Sequence, residues 1–172
     1  DGASATFNYA SSGDKWTMNK PLDVTGAVTA TGATVNGALD IEEVKEKVTV
    51  SSTDIVSGSN VVAVDLLDGA IDYYTANASG NWTLNFRGDG STTLNSIMSV
   101  GQSMTYALLV TNGSTPRYGS SYQIDGSSVT PKWSGGTAPA AGNASSIDSY
   151  SFTIIKTADA TFTVLATQTQ YA

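Results

Sequence analysis

The chain of 172 residues has no cysteine and no histidine. The first absence excludes a disulfide framework, a thiol nucleophile and a zinc–thiolate site. The second removes the commonest general base, the commonest metal ligand and every Ser-His-Asp arrangement. Charge is scarce too, at 13% of residues, about half the share of an ordinary soluble domain. What charge exists is acidic: 8 Lys and Arg against 15 Asp and Glu, a net charge of −7. Eight scattered basic residues make a poor surface for neutralising phosphates, so no nucleic-acid partner is expected. No basic amphipathic helix and no apolar run near ~18 residues is present, so no membrane partner is expected either. The sequence begins at Asp1 without an initiator methionine and without a secretory signal, as expected of a processed chain or a fragment. With so few charges, Ser, Thr, Asn, Gln and Gly must cover the surface. That habit suits extracellular β-proteins and virion proteins better than cytosolic enzymes.

What is present begins with residues 22–41, LDVTGAVTATGATVNGALDI. Valine, threonine and alanine alternate, and glycine returns at Gly26, Gly32 and Gly37. Small β-formers punctuated in this way build no thick core of their own. They are buried by pairing with copies of themselves. One reading is a pair of ordinary strands with glycine turns. The sharper one is an intertwined, trimeric β-stem whose interface comprises Leu22, Val24, Val28, Val35, Leu39 and Ile41. Before it, Phe7 and Tyr9 have strand spacing, a turn is expected at Ser12-Gly13-Asp14, and Trp16 and Met18 suit a second short strand. After it, EEVKEK (42–47) fits a helical turn through its i, i+4 pairs as well as it fits a strand. It reads as a solvated junction. Residues 1–47 are thus expected to be an arm and stem for oligomerisation and attachment, and residues 48–172 a head.

From Val48 the chain is a series of short β-signals with turn punctuation, the pattern of an all-β sandwich. Trp82, Leu84 and Phe86 alternate with Thr83, Asn85 and Arg87 on one strand. Ser79-Gly80 looks like a hairpin turn joining it to the strand in AIDYYTAN. Leu94, Ile97 and Met98 have the spacing of a single helical turn. SMTYALLVTNG carries the central-strand signal. Asp125-Gly126 marks one hairpin and Ala158-Asp159 another, the latter with Tyr150, Phe152 and Ile154 facing Phe162 and Val164. About eight strands predict a jelly-roll-like antiparallel β-sandwich head.

Chemical signals are weak, and no enzyme activity, cofactor or metal is expected. Asp65, Asp68 and Asp72 lie close in sequence but lack a calcium-loop pattern. Asp148 and Asp159 read as turn residues. No carboxylate pair stands out for glycoside hydrolysis, since the glutamates cluster at Glu42, Glu43 and Glu46. Arg87-Gly88-Asp89 closes a strand into a turn. The sequons at Asn77, Asn81, Asn112 and Asn143 are what chance supplies in so polar a chain. Tyr118, Tyr122 and Trp133 are the candidate surface-recognition residues, as aromatics able to stack on sugar rings. Packing at the sandwich edge is the plainer reading of them.

The stretch from Trp133 to the end resembles a C-terminal module of structural proteins of marine tailed phages, including cyanophages. The shared pattern is Gly135, Gly136, Ala138 and Pro139; then Asp148, Tyr150 and Phe152; then Tyr171 and Ala172. The glycine-punctuated stem is similar to segments of phage tail-fibre proteins. The resemblance covers about a third of the chain. It implies a homotrimeric virion component on the particle exterior: a tail fibre, an appendage or a capsid-decoration protein. Its partners would be itself, other virion proteins and, in the alternative of a receptor-binding fibre tip, a host-surface glycan. It transfers no catalytic residue.

Overall fold

In the computed structural model, residues 7–10, 15–18, 21–29, 35 and 37–171 are described, with side chains left aside for 7–10 and 15–17. The chain divides into two compact units at residues 43 and 44. In the first, β1 (Phe7–Ala10) pairs antiparallel with β2 (Lys15–Met18), with Tyr9 opposite Trp16. The expected turn at Ser12-Gly13-Asp14 lies outside the described residues. Residues 21–29, 35 and 37–41 form no strand. The EEVKEK junction is neither helix nor strand: residues 43–47 carry no regular structure before β3 begins.

The second unit is all-β, a sandwich of two mixed sheets. Its strands are β3 (Val48–Ser51), β4 (Val61–Asp65), β5 (Ile71–Tyr74), β6 (Trp82–Arg87), β7 (Ser103–Thr111), β8 (Gly119–Ile124), β9 (Ser127–Ser128), β10 (Lys132–Trp133), β11 (Ile147–Ala158) and β12 (Thr161–Tyr171). One sheet has the order β10-β12-β11-β7-β5-β3 and the other β4-β6-β8-β9. From β3 to β8 the chain changes sheet at every step. Each strand therefore pairs in parallel with the next but one: β3 with β5 with β7, and β4 with β6 with β8. This winding replaces the antiparallel jelly-roll predicted from the sequence. It also corrects the hairpin expected at Ser79-Gly80, because β5 and β6 belong to opposite sheets. A parallel pair cannot be closed by a two-residue turn, and here the opposite sheet supplies the crossover.

The remaining two hairpins form, the second with its turn one residue later than the expected Ala158-Asp159. Asp125 and Gly126 both have positive φ, 50° and 79°, the backbone of the type I′ turn that matches strand twist. β11 and β12 pair over their length around a turn at Asp159 and Ala160. The turn α1 (Leu94–Ile97) covers the core with Leu94. It is held at both ends. The Asp125 carboxylate accepts from the Leu94 and Asn95 amides at 2.7 and 3.0 Å. The buried Lys156 ammonium donates to the Asn95 and Met98 carbonyls at 2.6 and 2.9 Å. An anion at the amide end and a cation at the carbonyl end satisfy the groups that a helix leaves open.

Alternation on β6 points Trp82, Leu84 and Phe86 inward, against Tyr106, Leu108 and Val110 of β7 and Tyr150, Phe152 and Ile154 of β11. Phe152 is the hub. Its ring lies 5.1 Å from Phe86, 5.6 Å from Tyr122, 6.2 Å from Trp133 and 6.3 Å from Tyr106. Three of these pairs are edge-to-face or tilted and the one with Tyr106 is stacked, and contacts of both kinds add to the burial of area. Removing Phe86, which is fully buried between both sheets, leaves a void that rigid strands cannot close. Phe86→Ala is expected to lower unfolding free energy by about 3–5 kcal/mol. The check is the denaturant midpoint at unchanged slope.

Candidate functional site

Tyr118, Tyr122 and Trp133 are packing residues, not an exposed platform. Tyr122 is buried in β8, where its hydroxyl donates to the Gly119 carbonyl at 2.8 Å. Trp133 leans on it at 5.5 Å, and Tyr118 packs against the same core. The sequence placed them near a hairpin, but strand alternation turns Tyr122 inward beside Leu84, its register partner on β6. Gly119 is required there, since a Cβ would come within 2.6 Å of the Tyr122 hydroxyl oxygen.

The acidic candidates are committed elsewhere. Asp65 pairs with Arg87, Nε to Oδ1 at 2.5 Å. Asp72 accepts from the Tyr106 hydroxyl at 2.8 Å. Among the described residues no group of three acidic side chains could hold a metal ion.

Asp148 is not a turn residue. It is fully buried in β11 at one end of the sandwich, and three donors converge on it. These are the Asn143 amide at 3.0 Å, Asn112 Nδ2 at 3.0 Å and Gln168 Nε2 at 3.3 Å. The same groups lace the end loops together. Asn112 accepts from the Arg117 amide at 2.8 Å, Gln168 donates to the Ala141 carbonyl at 3.1 Å, and Asn143 Nδ2 donates to the Tyr171 carbonyl at 2.8 Å. Gly142 threads through this knot. A side chain there would strike the Arg117 carbonyl and approach Asp148 Oδ2 to 2.6 Å. Gly135 and Gly136 in the same loop have φ of 75° and 79°, which only glycine adopts freely. The terminal sequence pattern therefore has a physical basis in this chain: glycines for the loop, Asp148 for the knot, and Tyr150 and Phe152 for the core.

Beside the knot lies an open groove of about 550 Å³ lined by Asn77, Thr111, Asn112, Gly113, Ser114, Ser145, Ser146, Ile147 and Tyr171. Its walls are fixed by strand-like bonds between loops: the Asn112 amide to the Ser146 carbonyl and the Ser145 amide to the Gly113 carbonyl, both 2.8 Å. Thr111 Oγ1 is buried there without a hydrogen-bond partner. The lining is uncharged, made of amides, hydroxyls, Ile147 and the exposed ring of Tyr171. It offers hydrogen bonds and a stacking face, but no acid–base pair. Nothing in the sequence marks it beyond Tyr171 near the end, because its walls come from loops distant along the chain.

The stem candidates are all exposed within the single chain: Leu22 at 66%, Val24 at 44%, Val28 at 73%, Val35 at 50%, Leu39 at 65% and Ile41 at 50%. No family model, no curated protein and no solved structure matches the chain.

Burial pushes the Asp148 carboxyl above its ordinary value of 3.8, against the pull of its Asn143, Gln168 and Asn112 donors. A carboxyl that holds its proton more tightly when folded contributes stability at low pH. That contribution is lost as pH rises from the unfolded value through the folded one. Titration followed by carboxyl carbon shifts should place Asp148 above 3.8. Asp148→Asn should remove this downward component from the stability–pH curve. At neutral pH the variant is expected to be less stable by about 1–3 kcal/mol, because its new amide faces donors.

Proposed function

We propose that this chain is a non-enzymatic virion structural protein. In this reading it is a homotrimeric fibre, appendage or capsid-decorating component on the exterior of a tailed phage. One observation carries the reading. The stem lays out six large apolar side chains along some twenty residues and buries none of them within its own chain. Soluble monomers tolerate single exposed apolar residues, but a continuous series marks an interaction surface. A thin chain gains a core by winding with copies of itself, and glycines allow the close approach. Each buried Val or Leu contributes roughly 1.5–3 kcal/mol, and a threefold assembly repeats every contact. The resemblance to marine phage structural proteins supplies the setting. The acidic groups support a non-enzymatic role, since Asp65, Asp72 and Asp148 are tied into structural bonds.

The test is mass in solution. Light scattering of the full chain should give a trimer. Val28→Asp would set three like charges in an apolar seam, so it should drive the mass towards monomer. The head carries its own core, so its β-signal in circular dichroism should persist. A strict monomer at micromolar concentration, or a Val28→Asp variant that stays fully trimeric, would remove the stem as the assembly element.

The neutral groove favours a second reading, in which the head binds a host-surface glycan. Amides, hydroxyls and one exposed aromatic ring suit an uncharged sugar. A glycan array should then show hits that Tyr171→Ala abolishes while the head stays folded. An intact trimer with no hits would leave an architectural role alone.

A further inference from the structure

The six-stranded sheet has one face in the core and one outside. Register fixes which residues share the outer face. Val48 and Val50 of the edge strand β3 align with Ile71 and Tyr73 of β5, and these with Ala107 and Leu109 of β7. Those six positions are exposed or half-buried and form one apolar area. β3 pairs on one side only. Natural edges are usually guarded by charge, proline or a bulge, yet β3 reads Val-Thr-Val-Ser. Further across the same face come Ser151 and Thr153 of β11 and then Leu165 and Thr167 of β12. Among the described strand positions of this face, Lys132 of β10, opposite Leu165, is the one charged side chain. Two shallow hollows meet at Ser151 and Thr153. Glu46 lines one, beside Ile71 and Ala107, and Lys132 lines the other, beside Leu165. A nearly uncharged face thus carries an acid towards one side and a base at the other.

We infer that this face is an interface between copies of the chain, in which the apolar β3 side of one copy, with its Glu46, seats against the Lys132 and Leu165 side of the next. The inference rests on the self-association proposed above and adds the head to it. The occupant is a second copy because the face is complementary to itself in charge, Glu46 beside the apolar β3 side and Lys132 beside Leu165, with only uncharged Ser151 and Thr153 between them. A contact joining two different patches is heterologous, and repeated around an axis it closes a ring. The ion pair sets orientation and register, while the apolar area excludes water.

The test uses the full chain prepared with natural and with ¹⁵N-labelled nitrogen. The two are unfolded together, refolded and treated with a carbodiimide, which joins carboxylates to amines in direct contact. The expected product is a Glu46–Lys132 peptide pair of mixed isotope composition. Val50→Glu, at an exposed position, should abolish it without disturbing the head's circular dichroism. Glu46→Lys and Lys132→Glu should each raise the concentration of half-dissociation about tenfold, and the double variant should restore it. A trimer lacking the mixed-isotope pair overturns the head contact and leaves stem assembly standing. A pair found only within one isotope shows that the chain covers its own face, which also overturns it. A monomer overturns this contact and the parent reading together.

Discussion

A parallel strand pair cannot be closed by a tight turn, and the architecture of the head follows from that constraint. The chain must leave the sheet between β3 and β5, and again between β5 and β7. It does so by laying a strand in the opposite sheet each time. Every crossover thereby becomes the other half of the sandwich, and both sheets grow at once around one core. The inner faces must then interlock as they form. Phe152, reached only when β11 returns antiparallel to β7, touches aromatic rings from both sheets. The final hairpin therefore closes a coil that the preceding strands leave open.

That closure brings long-range groups into the interior, where polar atoms need partners. The fold meets the need with buried charged or polar residues at both ends. At one end, Lys156 on β11 and Asp125 in a hairpin turn hold α1 by its carbonyls and amides. At the other, Asp148 gathers donors from the loop after β7, the loop before β11 and strand β12.

What the sequence revealed is what neighbours along the chain decide. The alternation of Trp82, Leu84 and Phe86, the central strand around Leu108, the Asp125-Gly126 turn and the helical spacing of Leu94 and Ile97 all depend on local geometry, and all appear. What it hid is partnership. Alternation says that Val62 and Val64 face inward, but not that β4 lies beside β6 instead of β5. Ser79-Gly80 has the same turn chemistry as a hairpin loop, and only the topology shows that it links two sheets. Asp148 resembled a turn aspartate because its donors, Asn112 and Gln168, lie 36 and 20 residues away. The loop aromatics leave two readings open for a related reason. Packing is the plainer one, and the strand register of Tyr122 with Leu84 is what turns it into the core.

Low charge ties the stem to the head. A protein with ordinary surface charge relies on repulsion to keep apolar edges apart. With charge at 13% of residues, this chain has little of that protection, while the stem and the β3 edge both expose valine. Such surfaces would associate indiscriminately unless shape and register chose the partner. In the proposed self-assembly, identical copies make that choice most cheaply, because one sequence then specifies both sides of every contact. The serine and threonine that fill the remaining outer face fit this account, being too weakly apolar to drive association and, being uncharged, unable to repel a partner. In such a chain, the few charges placed on a sheet face decide orientation more than strength.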